Sequence, residues 1–251
     1  MILLNIDGIT KKFGALAAVD NFSCDVIKGE CHALIGPNGA GKTTTFNMIA
    51  GYLRPTKGKI FFNGENIAGL KPHVIARKGI ARTFQIRVLF DSLSVLENMM
   101  AACHLKSSSV FIDMVFQTRH SHEENKRLEQ LSLELLEIVG LSDFSEVPAG
   151  TLGHVAQGKL GLGMALAMEP QVLLLDEPVS GMTPSETEEM LHLIKQTLQR
   201  GITVLLVEHN MKAVMSVADR ITVLDFGQKI AEGAPNDIIN NPDVIKAYLG
   251  E

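Results

Sequence analysis

The stretch GPNGAGKT, residues 36–43, decides the fold of this chain. It satisfies the pattern Gly-x4-Gly-Lys-Thr, with the apolar run CHALI before it and the helically spaced run KTTTFNMIA after it. Glycines at these positions let backbone amides turn inward around a polyphosphate, and the start of the helix adds a partial positive charge. The sequence therefore predicts a phosphate-binding loop between a buried strand and a helix. A glycine-rich turn without function is the less favoured alternative in that context.

Two side chains of this loop have predicted roles of their own. Lys42 has the length and charge to reach the β- and γ-phosphates of a nucleotide, and the Thr43 hydroxyl is a ligand for Mg²⁺. The other contacts are expected from the backbone and from the first helical turn. The predicted nucleotide-binding residues of this segment are Gly36, Pro37, Asn38, Gly39, Ala40, Gly41, Lys42, Thr43 and Thr44.

Two carboxylates follow the apolar run VLLLD further along the chain. Asp176 and Glu177 lie at the mouth of a predicted buried strand, where adjacent side chains leave on opposite sides. Asp176 is expected to orient Mg²⁺ through its water shell, and Glu177 to polarise the attacking water as a general base. Two acids at a strand end are equally compatible with a structural role when taken alone, but their place downstream of a phosphate loop favours catalysis.

His209 and Gln85 are weaker candidates. His209 follows the run TVLLVE at the carboxyl end of a predicted parallel strand, where ligands bind in such sheets. It is suited to donate a hydrogen bond to a γ-phosphate or to link Glu177 to the water, although a lone histidine there is more typical of a surface or capping residue. Gln85, in the run ARTFQIRVLF, is by itself typical of a solvated loop residue.

Composition limits the classes of protein to which the chain can belong. With 251 residues and 46% apolar residues the chain can fill a core, and its net charge of −5 argues against a nucleic-acid binder. Three cysteines in no metal-ligand spacing favour a reducing compartment. No stretch approaches the roughly 20 apolar residues of a membrane span. If the protein works at a membrane, another chain must span it.

The order of apolar runs predicts an α/β fold. The runs VLLLD, TVLLVE and RITVLD, separated by helical segments, are typical of parallel strands covered on both faces. Two N-terminal runs and a hairpin with Asn63-Gly64 as its turn predict an antiparallel edge sheet. We expect residues 1–90 and 169–251 to form the nucleotide-binding core with this edge subdomain.

Residues 91–168 are helical in character and are predicted to form an inserted subdomain. Ser94 and Glu97 have the spacing of a capping box, in which each side chain satisfies a free amide at a helix start. Leu128, Leu131, Leu135 and Val139 recur at a helical spacing of three and four, which predicts one buried face.

Together these motifs, in the order GPNGAGKT, Gln85, LLLDEP, SGMT and VEHN, resemble the nucleotide-binding subunit of ABC transporters across almost the whole chain. The stretches ARTFQIRVLFDSLSVLENMMAA and TVLLVEHNMKAVMSVADRITVLDFGQKIAEG are similar to the ATP-binding subunits of bacterial branched-chain amino acid uptake systems. The resemblance implies an ABC-type P-loop ATPase with ATP and Mg²⁺ as cofactors.

The resemblance also implies partners and a location. It implies transmembrane permease subunits for small-nutrient import, a second ATPase subunit that is identical or different, and, indirectly, an extracytoplasmic substrate-binding protein. The expected location is peripheral, at the cytoplasmic face of the inner membrane. A non-transport ABC ATPase is an alternative, although such proteins usually add a coiled coil or a second ATPase half.

Several residue roles follow from the resemblance alone. Phe13 takes the position of the aromatic residue that stacks on adenine, with a strand-end core residue as the alternative. Gln85 takes that of the loop glutamine that ligates Mg²⁺ and senses the γ-phosphate. His209 matches the switch histidine, and Thr183 stands where many relatives carry Asp.

One segment departs from the family pattern. Where relatives carry Leu-Ser-x-Gly-x-Gln, the stretch TLGHVAQGKLGLG has Gly153 at the serine position and Val155 at the glycine position. These two residues normally complete the nucleotide site of the partner subunit, and losing one preorganised donor costs on the order of 3 kcal/mol in comparable transition states. The sequence therefore leaves open a second function, a regulatory or structural ATP-binding subunit with weak hydrolysis.

Overall fold

The computed structural model describes residues 1–83, 89–104 and 119–249. Its backbone divides into two compact units, one of Met1–Arg82 with Gln171–Glu251 and one of Thr83–Pro170. The predicted helical subdomain, 91–168, falls inside the second range, and its boundaries stay a prediction.

A six-stranded sheet forms the centre of the first unit. Its order is β10-β9-β3-β8-β7-β6, with β10 antiparallel to β9 and the other neighbours parallel. Every residue of β3, β7 and β8 is buried, as expected for parallel strands covered on both faces. The strands are β3 (Cys31–Ile35), β6 (Ile80–Arg82), β7 (Val172–Asp176), β8 (Thr203–Val207), β9 (Arg220–Asp225) and β10 (Gln228–Gly233).

A four-stranded antiparallel sheet, of order β2-β1-β4-β5, packs its apolar residues into the same unit. Its strands are β1 (Ile2–Phe13), β2 (Leu16–Ile27), β4 (Lys57–Phe62) and β5 (Glu65–Asn66). Asn63 and Gly64 between β4 and β5 both have positive φ, 50° and 78°, as the tightest hairpin turn requires. The predicted edge sheet and its turn are therefore confirmed.

Six helices complete the described part of the first unit. Helix α6 begins with a full capping box, in which the Glu186 amide donates to the Thr183 hydroxyl and the Thr183 amide to the Glu186 carboxylate. The six are α1 (Lys42–Ile49), α2 (Pro72–Lys78), α6 (Pro184–Gln199), α7 (Met211–Val217), α8 (Pro235–Ile239) and α9 (Pro242–Leu249).

The second unit is helical where it is described. It contains α3 (Val95–His104), α4 (Arg119–Ile138) and α5 (His154–Ala167), with single 3-10 turns at Ser142–Phe144 and Ala149–Thr151. The predicted capping box is present, since the Ser94 and Glu97 amides each donate to the other side chain. Leu128, Leu135 and Val139 are buried as predicted, whereas Leu131 is only partly buried. None of the helices described in either unit is both long and apolar enough to cross a membrane.

Candidate active site

The phosphate-binding loop leaves the carboxyl end of β3 and ends at the first residue of α1. Gly36 has φ 148° and Gly41 has φ 104°. A Cβ atom at Gly36 would lie 2.0 Å from the Leu224 carbonyl oxygen, and one at Gly41 would lie 2.5 Å from the Ala18 carbonyl oxygen. Only glycine fits at these two positions, because the loop lies flat against neighbouring backbone. Asn38 and Gly39, at the middle of the loop, are exposed.

Lys42 folds back over this loop. Its ammonium donates hydrogen bonds to the carbonyl oxygens of Gly36, at 2.7 Å, and Pro37, at 2.9 Å, and the residue is only 8% exposed. Burial lowers the pKa of Lys42, while the charges of Glu177 and Asp176 act in the opposite direction. The ammonium therefore shares one site with the predicted general base, Glu177, and the predicted metal-binding residue, Asp176.

The two hydroxyl residues after Lys42 lie at the start of α1. Thr43 is exposed and Thr44 is partly exposed, whereas the Thr45 hydroxyl is buried and donates to the Gly41 carbonyl oxygen at 3.0 Å. The Thr43 hydroxyl is thus accessible on the helix turn that follows the loop. Its accessibility fits the predicted role as a metal ligand.

The two acids lie at the carboxyl end of β7, which is separated from β3 by β8 alone. Asp176 is 4% exposed and accepts a hydrogen bond from Arg82 at 2.8 Å. Glu177 is partly buried and has a positive φ of 49°, a strained conformation for a residue with a side chain. Its amide donates to the Val207 carbonyl oxygen at 2.8 Å, which anchors this turn to β8.

His209 follows β8 at the same edge of the sheet. Its Nδ1 lies 3.8 Å from the Glu177 Oε1 and 3.7 Å from the Glu208 Oε2, and its side chain is 58% exposed. The structure thus brings His209 close to Glu177, as expected for a pair that acts on one water. The ring lies beyond hydrogen-bond distance from either carboxylate.

The structure describes the surroundings of Phe13 but not those of Gln85. Phe13 ends β1 and is 48% exposed, with the Lys11 ammonium 5.2 Å from its ring centre. This exposure excludes the alternative in which Phe13 is a core residue and leaves its ring accessible for stacking. Gln85 lies outside the described residues, so its predicted roles toward Mg²⁺ and the γ-phosphate stay predictions.

The donor set at this edge fits a magnesium nucleotide. Mg²⁺ prefers oxygen ligands such as a carboxylate and a hydroxyl, and Asp176 and Thr43 supply one of each. The phosphate-binding loop has no side chains at Gly36 and Gly41 and is followed by a helix start and a lysine. Such a loop can bind a polyphosphate, because amides at a helix start and a positive charge attract anions. In that arrangement the loop amides and Lys42 would hold the phosphates.

Arg82 is a site residue that sequence reasoning missed. From the end of β6 its guanidinium reaches both Asp176 and Asn47 of α1, with 2.6 Å to the Asn47 Oδ1. It also lies 5.9 Å from the ring centre of Phe46 and 5.8 Å from that of Tyr52. An arginine three residues before Gln85 was the available signal, but its partners are distant in sequence. Glu208 was missed as well, because acids beside a histidine are common.

The C-terminal helix also reaches the phosphate loop. The backbone of Gly36 makes a hydrogen bond with the Tyr248 hydroxyl, while burial raises the pKa of Tyr248. Tyr248 of α9 therefore contributes to the support of the loop.

The altered segment begins α5. Gly153 is the residue before the helix, with φ −63° and ψ 160° and no side chain to cap the free amides. Val155 and Gln157 are partly buried in the first turn. A Cβ atom at Gly153 would meet nothing within 4 Å, so packing does not explain the loss of serine there.

Comparisons with known proteins show which family the chain resembles. A family model described as "ABC transporter" matches residues 19–180, and one described as "Branched-chain amino acid ATP-binding cassette transporter" matches residues 228–251. The chain is 42% identical over 250 residues to the "High-affinity branched-chain amino acid transport ATP-binding protein BraF" of Pseudomonas aeruginosa, covering 99% of this chain and 98% of that protein. It is 38% identical to LivG of Escherichia coli, with the same coverage.

Solved structures give the same result. A crystal structure of a nucleotide-free ATP-binding cassette from an ABC transporter is similar, with a TM-score of 0.87, 30% identity and 100% of each chain covered. The ADP conformation of an ATP-binding cassette of an ABC transporter gives the same three values.

Proposed function

Since the chain belongs to the ABC transporter family, we propose that it is the ATP-binding and hydrolysing subunit that energises a membrane permease for branched-chain amino acid import. One observation carries the catalytic part of the proposal. Three neighbouring strands, β3, β8 and β7, carry the site at their carboxyl ends, which lie at one edge of one sheet. The phosphate loop follows β3, the histidine follows β8, and the two acids lie at the end of β7. The transport part rests on the names of the two relatives that match nearly the whole chain.

The proposed roles follow from the chemistry of each side chain. Lys42 would neutralise phosphate charge, Glu177 would act as general base toward water, and His209 would orient that water or the γ-phosphate. Asp176, Thr43 and Gln85 would hold Mg²⁺, whose charge offsets that of the phosphates when it is bound.

Phe13 is proposed to stack on the adenine ring. The same segment brings a positive charge to that position, because the Lys11 ammonium lies near the Phe13 ring. A half-exposed aromatic face at the end of β1 offers apolar contact to a flat base.

The proposed assembly contains transmembrane permease subunits, a second ATPase subunit and, through the permease, an extracytoplasmic binding protein. The chain itself would be peripheral, at the cytoplasmic face of the inner membrane. Reconstitution of the assembly in vesicles, with uptake of radiolabelled leucine, tests this proposal. Uptake that requires ATP on the side of this subunit supports it, and ATP hydrolysis without uptake of any branched-chain amino acid contradicts its transport part.

A second candidate function is favoured by Gly153 and Val155. If these residues fail to complete the partner's site, ATP would mainly be bound there, and the subunit would act as a regulatory or structural component with weak hydrolysis. Single-turnover hydrolysis in the assembled transporter separates the two functions, because a regulatory subunit would bind ATP there while releasing phosphate only slowly.

A further inference from the structure

Glu208 is a buried carboxylate to which the proposed mechanism gives no role. It follows β8 and is 1% exposed. Three backbone amides donate to it: that of Val179 to Oε1 at 3.2 Å, and those of His209 and Asn210 to Oε2 at 2.8 and 2.9 Å. A carboxylate so deeply buried is retained only where such charge-assisted bonds replace its hydration.

The three amides belong to two different loops. Val179 lies two residues after Glu177, in the loop that follows β7. His209 and Asn210 follow β8 and lead into α7, whose free Ala213 amide is capped by the Asn210 side chain at 3.2 Å. Glu208 therefore joins the loop that carries the general base to the loop that carries the histidine.

Neither catalytic side chain is fixed by packing alone. The His209 ring is more than half exposed, so its position depends on the backbone that carries it. Glu177 has a strained positive φ of 49°, and such a conformation persists only where the surroundings enforce it. The Glu177 amide is anchored to β8 on one side, and the bond from Val179 to Glu208 anchors the turn on the other.

We propose that Glu208 is a positioning residue, which sets the spacing between Glu177 and His209 without touching the nucleotide. The inference rests on the proposed function, since it assumes that these two residues act on one ATP molecule. A carboxylate suits the role because both of its oxygens only accept hydrogen bonds. A glutamine would turn an NH₂ group toward one of the amide donors, and the two loops would lose one of their shared anchors.

The test compares Glu208→Gln with wild type in the assembled transporter. Steady-state ATP hydrolysis gives kcat and KM, and equilibrium binding of a fluorescent ATP analogue gives the affinity. We expect kcat to fall about tenfold or more while KM and the affinity change by less than about twofold, because the phosphate loop is untouched. A residue that only stabilises the fold would not lower kcat of the folded protein selectively.

A double-mutant cycle tests whether Glu208 acts on hydrolysis through His209. Single-turnover hydrolysis is measured for His209→Ala with and without Glu208→Gln, and we expect the second change to cost less than about twofold there. The matched control is Asp219→Asn, which makes the same loss of charge at another carboxylate that accepts from a backbone amide, that of Cys31 at 2.8 Å. Because Cys31 begins β3, at the end remote from the phosphate loop, this variant should keep kcat within about twofold.

Two results would overturn the inference. One is an unchanged kcat in Glu208→Gln, and the other is an equal loss of hydrolysis rate when Glu208→Gln is made in wild type and in His209→Ala. If Glu208→Gln lowers the folded fraction, Glu208→Asp, which keeps the charge but shortens the side chain, is judged by the same kcat criterion. Absence of hydrolysis in wild type and in Asp219→Asn would contradict the proposed function itself. The two failures are therefore distinguishable.

Discussion

Arg82 and Asp176 form a largely buried ion pair, with the guanidinium Nη2 2.8 Å from the carboxylate Oδ2. The pair joins the end of β6 to the end of β7, and the second arm of Arg82 extends it to Asn47 of α1. The carboxylate proposed to hold Mg²⁺ is thus oriented by a cation that also contacts the helix after the phosphate loop. Among the described residues, Asp176 accepts no other side-chain hydrogen bond.

Removing the Arg82 guanidinium should destabilise the folded state. We expect Arg82→Ala to lower the free energy of unfolding by about 3–5 kcal/mol, because a buried carboxylate is left without its partner. Urea unfolding monitored by circular dichroism measures the loss. The matched control is Lys78→Ala, which breaks the exposed pair with Glu65 at 2.6 Å and should cost less than about 1 kcal/mol. Equal losses in the two variants would contradict the importance of the buried pair.

The general base is expected to act asymmetrically in a mixed dimer. Glu177→Gln keeps the shape of the side chain but removes the base, so hydrolysis at this chain's own site should fall about 10²–10⁴-fold while ATP is still bound. With a partner of intact signature, the corresponding change in the partner should have little effect, because its site faces Gly153 and Val155. Single-turnover assays with one altered subunit at a time measure both rates. An equal loss from either subunit would refute the asymmetry.

Restoring the altered segment should raise hydrolysis. We expect the double variant Gly153→Ser, Val155→Gly to increase the turnover of a homodimer by about tenfold or more, because it returns a preorganised donor to the partner's site. Serine at position 153 meets open space and is a preferred residue before a helix. Gly161→Ser, at another open position of α5, is the control and should leave turnover unchanged. Equal turnover in the restored and wild-type chains would show that the segment is not limiting.

Stability should fall at alkaline pH because of His32. This buried histidine on β3 contacts Thr222 at 2.8 Å, Glu30 at 3.0 Å and Cys24 at 3.5 Å, with Arg220 at 3.3 Å as an opposing cation. Burial alone would lower the pKa of His32, but hydrogen bonds to Cys24 and Glu30 and the neighbouring negative charge raise it to about 9. The folded state therefore favours the protonated ring.

The resulting stabilisation is complete below the unfolded pKa of about 6.5 and is lost as pH rises through about 9. This stabilisation amounts to about 3 kcal/mol. Urea unfolding between pH 6 and pH 10 measures it, and His32→Gln should flatten this pH dependence. His73→Gln, which alters an exposed histidine, is the control and should not. If the loss of stability between pH 6 and pH 10 persists in His32→Gln, His32 is excluded as its origin.

Local patterns were sufficient for much of the fold. The Asn63-Gly64 turn and the Ser94–Glu97 capping box depend on contacts within a few residues, so their residue types can be read directly from the chain. The phosphate loop is equally visible from its pattern of glycines followed by Lys and Thr. The buried parallel strands are equally visible, because coverage on both faces requires continuous apolar runs. The likeness to ABC transporter subunits likewise came from motifs and their order along the chain.

Tertiary structure alone decided which distant residues meet. Nothing local links Arg82 to Asp176 or Glu208 to Val179, because each pair forms only when β6, β7 and β8 lie side by side. The exposure of Phe13 and the open space beside Gly153 also depend on what the folded chain leaves uncovered. The sequence by itself therefore determined which chemical groups are present and which backbone segments carry them. Strand adjacency decided how those groups are held, since hydrogen bonds and ion pairs act over a few ångströms in space regardless of separation along the chain.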